Sequence, residues 1–216
     1  MISLQDVIVL EENLVELWHA QHPGLALATP ERLWILGAPD PEMEKIESLL
    51  RRTGETYMYA TVAGCRVHPG NAYRADGPAL PLAPATIVLV ECSGPDGAVI
   101  VDHHRPGDPG YGRPPEDFLS ASSLGQALRL LGESAKPAEL LAAAADHCLA
   151  AAYRGECPGV DPDELMLWRA ETRAAFQKRT VADVLRDVDA ARGRLRAAIG
   201  KPVPWMIRGN VGDLIP

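Results

Sequence analysis

Apolar residues near the start of the chain recur at helical spacing. Val7, Leu10, Leu14, Leu17 and Trp18 fall on one face over residues 4–20, which predicts an amphipathic helix closed by Pro23-Gly24. The period then changes. Leu33-Trp34-Ile35-Leu36 is a short apolar run broken by Gly37, expected as a buried strand, and Met43, Ile46, Leu49 and Leu50 share one face of a following helix. Thr56-Tyr57-Met58-Tyr59-Ala60-Thr61-Val62 predicts a second strand. Residues 63–85 read as a long Gly- and Pro-containing loop with a polar set, Arg66, His68, Asn71, Tyr73, Arg74 and Asp76, unlike a mere spacer. Strands are expected at Thr86–Val90 and 98–101, then helices over about 120–131, 137–153, 162–178 and 181–199. Asp161-Pro162 is an N-cap followed by a first-turn proline, and Thr180-Val181-Ala182-Asp183 is close to a capping box.

Strand, helix and strand at these lengths make a βαβ unit, which calls for a parallel sheet. The fold expected is α/β: a mostly parallel sheet with flanking helices, followed by a helical C-terminal third. Residues 1–155 would form an α/β metal-binding domain and residues 156–216 a helical extension or linker. One connection departs from the parallel pattern. Cys92-Ser93-Gly94-Pro95-Asp96-Gly97 is shorter than the usual crossover and reads as a hairpin loop, which would put Glu91 and Asp102 at opposite ends of the sheet. The 63–85 loop would then overhang the active edge, with Asp76 or His68 in place of Glu91.

Composition narrows the function classes. The 216 residues suit one main globular unit, and no stretch approaches a membrane span of about 18 apolar residues. The first residues lack a basic region followed by an apolar core, so a cytoplasmic protein is expected. A net charge of -8 argues against broad binding of duplex nucleic acid, while a surplus of carboxylates suits a divalent cation and, through it, a small phosphorylated substrate. The cysteines at 65, 92, 148 and 157 show no metal-binding spacing and read as small buried or loop thiols.

The densest chemistry lies where Ala98-Val99-Ile100-Val101 ends in Asp102-His103-His104, followed by Arg105-Pro106-Gly107-Asp108. A carboxylate and two imidazoles at a strand exit are metal ligands at the place where open α/β sheets bind ligands. An oxygen-rich set with imidazole tilts the choice toward Mn²⁺, with Mg²⁺ as the other candidate. Asp40 and Glu42 follow the first strand. They can both point into the crevice, or Asp40 can cap the next helix with Glu42 set against its dipole. Asp146, beside His147 in an alanine-rich helix, either faces solvent or has a specific partner.

These segments, in this order, resemble the DHH phosphoesterase superfamily of metal-dependent hydrolases. Asp102-His103-His104-Arg105 is similar to its signature, and Ala121-Ser122-Ser123-Leu124-Gly125-Gln126 resembles the helix that opens with small hydroxyl residues after it. Pro39-Asp40-Pro41-Glu42 resembles the first motif, Val90-Glu91 the second and Ala144-Ala145-Asp146 a later acid. The resemblance covers about residues 30–155. It implies Asp40, Glu42, Glu91, His103 and Asp146 as metal ligands, Asp102 as a supporting or bridging group, and His104 and Arg105 against the substrate phosphate. Ser122 and Ser123, at a helix start, would offer backbone amides to a phosphate. The family's first motif usually has a histidine where this chain has Leu36, and His68 is the candidate to replace it. Glutamate also stands at 42 and 91 where aspartate is customary.

The function so implied is two-metal activation of water for attack on a phosphoester or phosphoanhydride, with a small nucleotide or short oligonucleotide as substrate. The alternative is a DHH-like domain that has lost catalysis and serves binding or assembly, with the C-terminal helices as a homo-oligomer interface. A nucleotide-binding Rossmann protein is disfavoured because no GxGxxG follows the first strand.

Overall fold

The computed structural model describes residues 31–78 and 86–199; the helix expected over 4–20 and the chain beyond 199 lie outside the described residues. Strand β1 (Arg32–Leu36) runs through helix α1 (Pro41–Thr53) into β2 (Thr56–Tyr59), parallel to it. Local chemistry sets the ends of α1. Asp40 caps it by accepting from the Met43 amide at 2.7 Å, Pro41 opens the first turn, and Gly54 closes it at φ 74°. The chain then leaves the sheet at Ala60, earlier than the expected strand over 56–62. Tyr59 already pairs with Leu36, the last residue of β1, so residues further on find no partner there. They pair with each other instead, β3 (Thr61–Val62) against β4 (Cys65–Arg66).

β5 (Thr86–Val90) lies on the other flank of β1, and β6 (Val99–Val101) lies beside β5, giving the order β2-β1-β5-β6 with every pair parallel. The hairpin expected between Val90 and Val99 is therefore incorrect. Val88 pairs with Val99, so the chain retreats only about two residues along β5 before rejoining the sheet, and a short loop suffices. Glu91 and Asp102 consequently leave the sheet at the same end, joined by a bond from the Glu91 amide to the Val101 carbonyl at 3.1 Å.

The helices after β6 are α2 (Phe118–Ala121), α3 (Ser123–Leu131), α4 (Pro137–Ala152), α5 (Pro162–Gln177) and α6 (Val181–Ala198). A single helix is expected over 120–131, but Ser122 is extended (ψ 153°) and caps α3 by accepting from the Gly125 amide at 3.1 Å. The caps at Asp161 and Thr180 form as the sequence predicts.

Side chains alternate across the sheet as the pleat requires. Trp34, Leu36, Val88, Val90 and Val101 face a core shared with α1, α2, α3 and α4, and Leu165 of α5 joins it. Ile35 and Leu89 face the other way, against Ala60, Val67, Ala72 and Cys92. The fold is thus a parallel sheet with flanking helices and a helical stretch after it. Ala170 and Ala174 of α5 pack on Val184 of α6 as a separate small cluster. Among the described residues, no helix is long and apolar enough to cross a membrane.

Candidate metal centre

The connection from β1 goes through α1 to one side, while β5 stands on the other, so the strand order reverses between β1 and β5. A crevice opens there at the carboxyl ends of the strands, the usual ligand position in open α/β sheets. Glu42, Glu91 and Asp102-His103 arrive at this edge from α1, β5 and β6, and α4 brings Asp146 from above. Gly37 lets the strand ends approach closely: a Cβ there would lie 2.5 Å from the Glu91 carbonyl oxygen.

One ligand atom each from Glu91, His103, His104 and Asp146 lie within 4.8 Å of one another, a group that can hold a metal ion. His103 is at the centre. Its Nε2 is 2.9 Å from Asp146 Oδ2, 3.6 Å from Glu42 Oε2 and 3.7 Å from Glu91 Oε1. His104 Nε2 is 3.6 Å from the same Asp146 oxygen. Glu42 Oε2 and Glu91 Oε1 are buried and have no hydrogen-bond partner. Buried carboxylate oxygens gathered round one imidazole nitrogen are unfavourable without a cation, so the donor set fits a divalent ion on chemical grounds. Burial, reinforced by the Glu91 and Asp146 charges, pushes the Glu42 carboxyl well above the usual carboxylate range. Burial and the charges of Asp40 and Asp146 push Glu91 up to about 8. Glu91 also holds φ 51°, a left-handed backbone that non-glycine residues rarely adopt.

Asp102 does a different job. Its Oδ1 accepts from the His103 and His104 amides at 2.7 and 3.0 Å and lies 3.1 Å from His104 Nδ1, while Oδ2 accepts from the Tyr73 hydroxyl at 2.9 Å. Both oxygens are engaged within the protein, so Asp102 orients its neighbours. Burial acts to raise its carboxyl, but the bonds from His104 and Tyr73 outweigh this and hold it low. The bond to Asp102 in turn raises the His104 pKa to about 9. Gln126 fixes the backbone beneath, donating to the Asp102 and Ala121 carbonyls at 2.9 and 2.7 Å. Gly110 is also needed here, since a Cβ would meet the Ala121 carbonyl oxygen at 1.9 Å and His103 Cβ at 2.7 Å.

Other expected site residues are placed elsewhere. Asp40 is the α1 cap, beside the group but not among its four ligand residues. Leu36, standing where the resemblance expects a histidine, is buried in the main core. His68 is exposed, with Nδ1 accepting from the Gly70 amide at 3.1 Å, and does not join the cluster. Asp76 accepts from the Ala63 amide. At the start of α3 the Leu124 amide donates to Glu42 Oε1 at 3.1 Å and the Gly125 amide to Ser122, while the Ser122 amide donates to the Phe118 carbonyl at 2.8 Å. Ser123 Oγ is buried without a partner. Arg105 stacks its guanidinium 3.6 Å over the Tyr73 ring, next to Asp102.

Sequence reasoning assigned no role to Tyr73, Gln126 or His147. Tyr73 stands out only as an aromatic in a polar loop, and His147 only as a second polar residue beside Asp146. The His147 ring lies against that of His103, Nδ1 to Nδ1 at 2.9 Å, and burial lowers its pKa. No family model, curated protein or solved structure matches the chain.

Proposed function

We propose that the protein is a metal-dependent phosphohydrolase of the DHH type, acting on a small nucleotide or short oligonucleotide and using Mn²⁺ in preference to Mg²⁺. The observation that carries this reading is the convergence of Glu42, Glu91 and Asp146 on His103 Nε2 at the carboxyl edge of the sheet, with buried oxygens that lack partners. Glu42, Glu91, His103 and Asp146 would hold the metal; when bound, it supplies Lewis acidity toward water and charge neutralisation toward phosphoryl oxygens. Side-chain exposure supports the direction of approach. His104 and Asp146 are 42% and 27% exposed, whereas Glu42, His103 and Glu91 are 0%, 4% and 7% exposed, so substrate enters on the His104 side.

On that side His104, oriented by its 3.1 Å bond to Asp102, would donate to a phosphoryl oxygen. Arg105, braced by Tyr73, provides a cationic contact. Asp102 keeps both in register. Hydrolysis of pyrophosphate, short oligonucleotides and cyclic dinucleotides, assayed with Mn²⁺ and with Asp146→Asn as the control, tests this reading. Turnover of at least one that is lost in the variant supports it; no turnover of any by the Mn²⁺-bound protein refutes it and leaves a binding or assembly role.

A further inference from the structure

His103 is gripped on both ring nitrogens by consecutive residues of α4, Asp146 at Nε2 and His147 at Nδ1, each at 2.9 Å. Neighbours in a regular helix point about 100° apart and do not usually share a target. Here the helix departs from helical geometry immediately afterwards, at Cys148 with φ -153° and ψ 49°. The far nitrogen of His147, Nε2, is 3.2 Å from the backbone carbonyl of Arg113. That carbonyl sits just before Pro114 and Pro115, whose rings restrict the backbone leading into a single helical turn.

The proton positions follow from these contacts. A carbonyl oxygen only accepts, so His147 carries its hydrogen on Nε2, and its Nδ1 is the bare acceptor. His103 Nδ1 faces that acceptor and must donate to it. The 2.9 Å contact of Nε2 with the Asp146 carboxylate needs a hydrogen only while no ion lies between them; once a metal takes that place, the His103 lone pair is on Nε2, the atom surrounded by Asp146, Glu42 and Glu91, and the remaining ring hydrogen is on Nδ1.

We propose that His147 is a positioning residue that, anchored on the Arg113 carbonyl, fixes His103 as its Nδ1–H tautomer and so directs Nε2 at the metal. The proposal rests on reading the cluster as a metal centre but not on what the centre hydrolyses. Metal ligation by imidazole is commonly organised in this way, by a hydrogen bond from the other ring nitrogen to an acceptor behind it. In this chain the acceptor is a second imidazole, itself oriented by main chain.

Ring tautomers can be read on the unmodified full chain by long-range proton–nitrogen correlation spectra at mildly alkaline pH, without metal and then with Zn²⁺ as a diamagnetic probe. His147 is expected as the Nε2–H form in both, and His103, once Zn²⁺ is bound, as Nδ1–H coordinated through Nε2. Finding His147 as Nδ1–H, or His103 coordinated through Nδ1, overturns the proposal. Calorimetric titration with Mn²⁺ adds the energetic readout: His147→Leu is expected to weaken binding about 10–100-fold, whereas His147→Asn, which keeps an acceptor near Nδ1, stays within about threefold. Equal weakening by both variants, or by neither, overturns it. The proton assignment in the metal-free protein is readable whether or not any phosphate ester is turned over, so failure of the hydrolase reading and failure of this one are separate results.

Discussion

Charged side chains are treated in opposite ways at the sheet's carboxyl edge and along the α5–α6 hairpin. At the edge, Glu42, Glu91 and His103 are buried, and two carboxylate oxygens have no partner. On the hairpin, Arg179 pairs with Asp187 at 2.7 Å, Arg192 lies 3.9 Å from Asp189 and Thr180 exchanges bonds with Asp183, all on the surface. Surface pairs of this kind contribute about 0–1 kcal/mol and can be exchanged freely. Buried unpaired carboxylates oppose folding until a cation joins them. The edge carries buried charge that a cation would stabilise, whereas the hairpin's surface pairs need no such partner.

The sharpest way to break this contrast is to remove a ligand. Asp146→Asn is expected to weaken Mn²⁺ binding by more than about 100-fold by calorimetry, beyond the 10–100-fold range typical of residues that support ligands. An unchanged affinity would show that the cluster is not a metal site. Titrating the bare protein comes next. Folded Glu91 keeps its proton up to about pH 8, whereas the unfolded chain releases it near 4.5, so the folded state binds more protons across that window. The melting midpoint of the metal-free protein should therefore fall as pH rises from about 4.5 to about 8, and saturating Mn²⁺ should flatten the slope. His104, raised to about 9, acts in the same sense; His147, lowered by burial, opposes it below the ordinary imidazole value, and Asp102 and Asp146, whose carboxyls are held low, oppose it only below the ordinary carboxylate range. A midpoint that rises through the window contradicts the buried-acid description.

Glu91→Gly separates occupancy from stability. It removes a ligand and a buried carboxylate, and it relieves the left-handed backbone at φ 51°, a strain of roughly 1–2 kcal/mol. Mn²⁺ binding is expected to be lost while the metal-free midpoint rises by about 2–4 °C. A lower midpoint would mean that Glu91 supports the bare fold. The smallest effect is expected on the hairpin, where Arg179→Ala should change unfolding free energy by less than about 1 kcal/mol and leave Mn²⁺ affinity unchanged. A larger loss in denaturant unfolding would make the hairpin's surface charges structural.

What could be read in the sequence is what is decided within a few residues. The Asp161-Pro162 start, the Thr180 box and the Leu33–Leu36 run depend on neighbours in the chain and form as expected, and the capping alternative for Asp40 is the one the structure takes. The Asp102-His103-His104 exit was legible for the same reason. The link between β5 and β6 was not, because loop length predicts a hairpin only if the returning strand retraces its partner, and β6 pairs with only the last residues of β5. Nor could spacing show that Glu42 occupies the start of α3, eighty-two positions away, or that Tyr73 reaches Asp102. Those contacts exist only once the sheet order β2-β1-β5-β6 has brought distant segments to one edge.

Glu42, Glu91, His103 and Asp146 come from four separate stretches, and the last follows every strand of the sheet. A growing chain cannot present the complete set until α4 has been synthesised and has settled onto the sheet. An ion captured there would act as a seal applied at the end of assembly. Any later peeling of α4 would break that seal, so the rate at which a chelator strips the ion would report how often this helix lifts away.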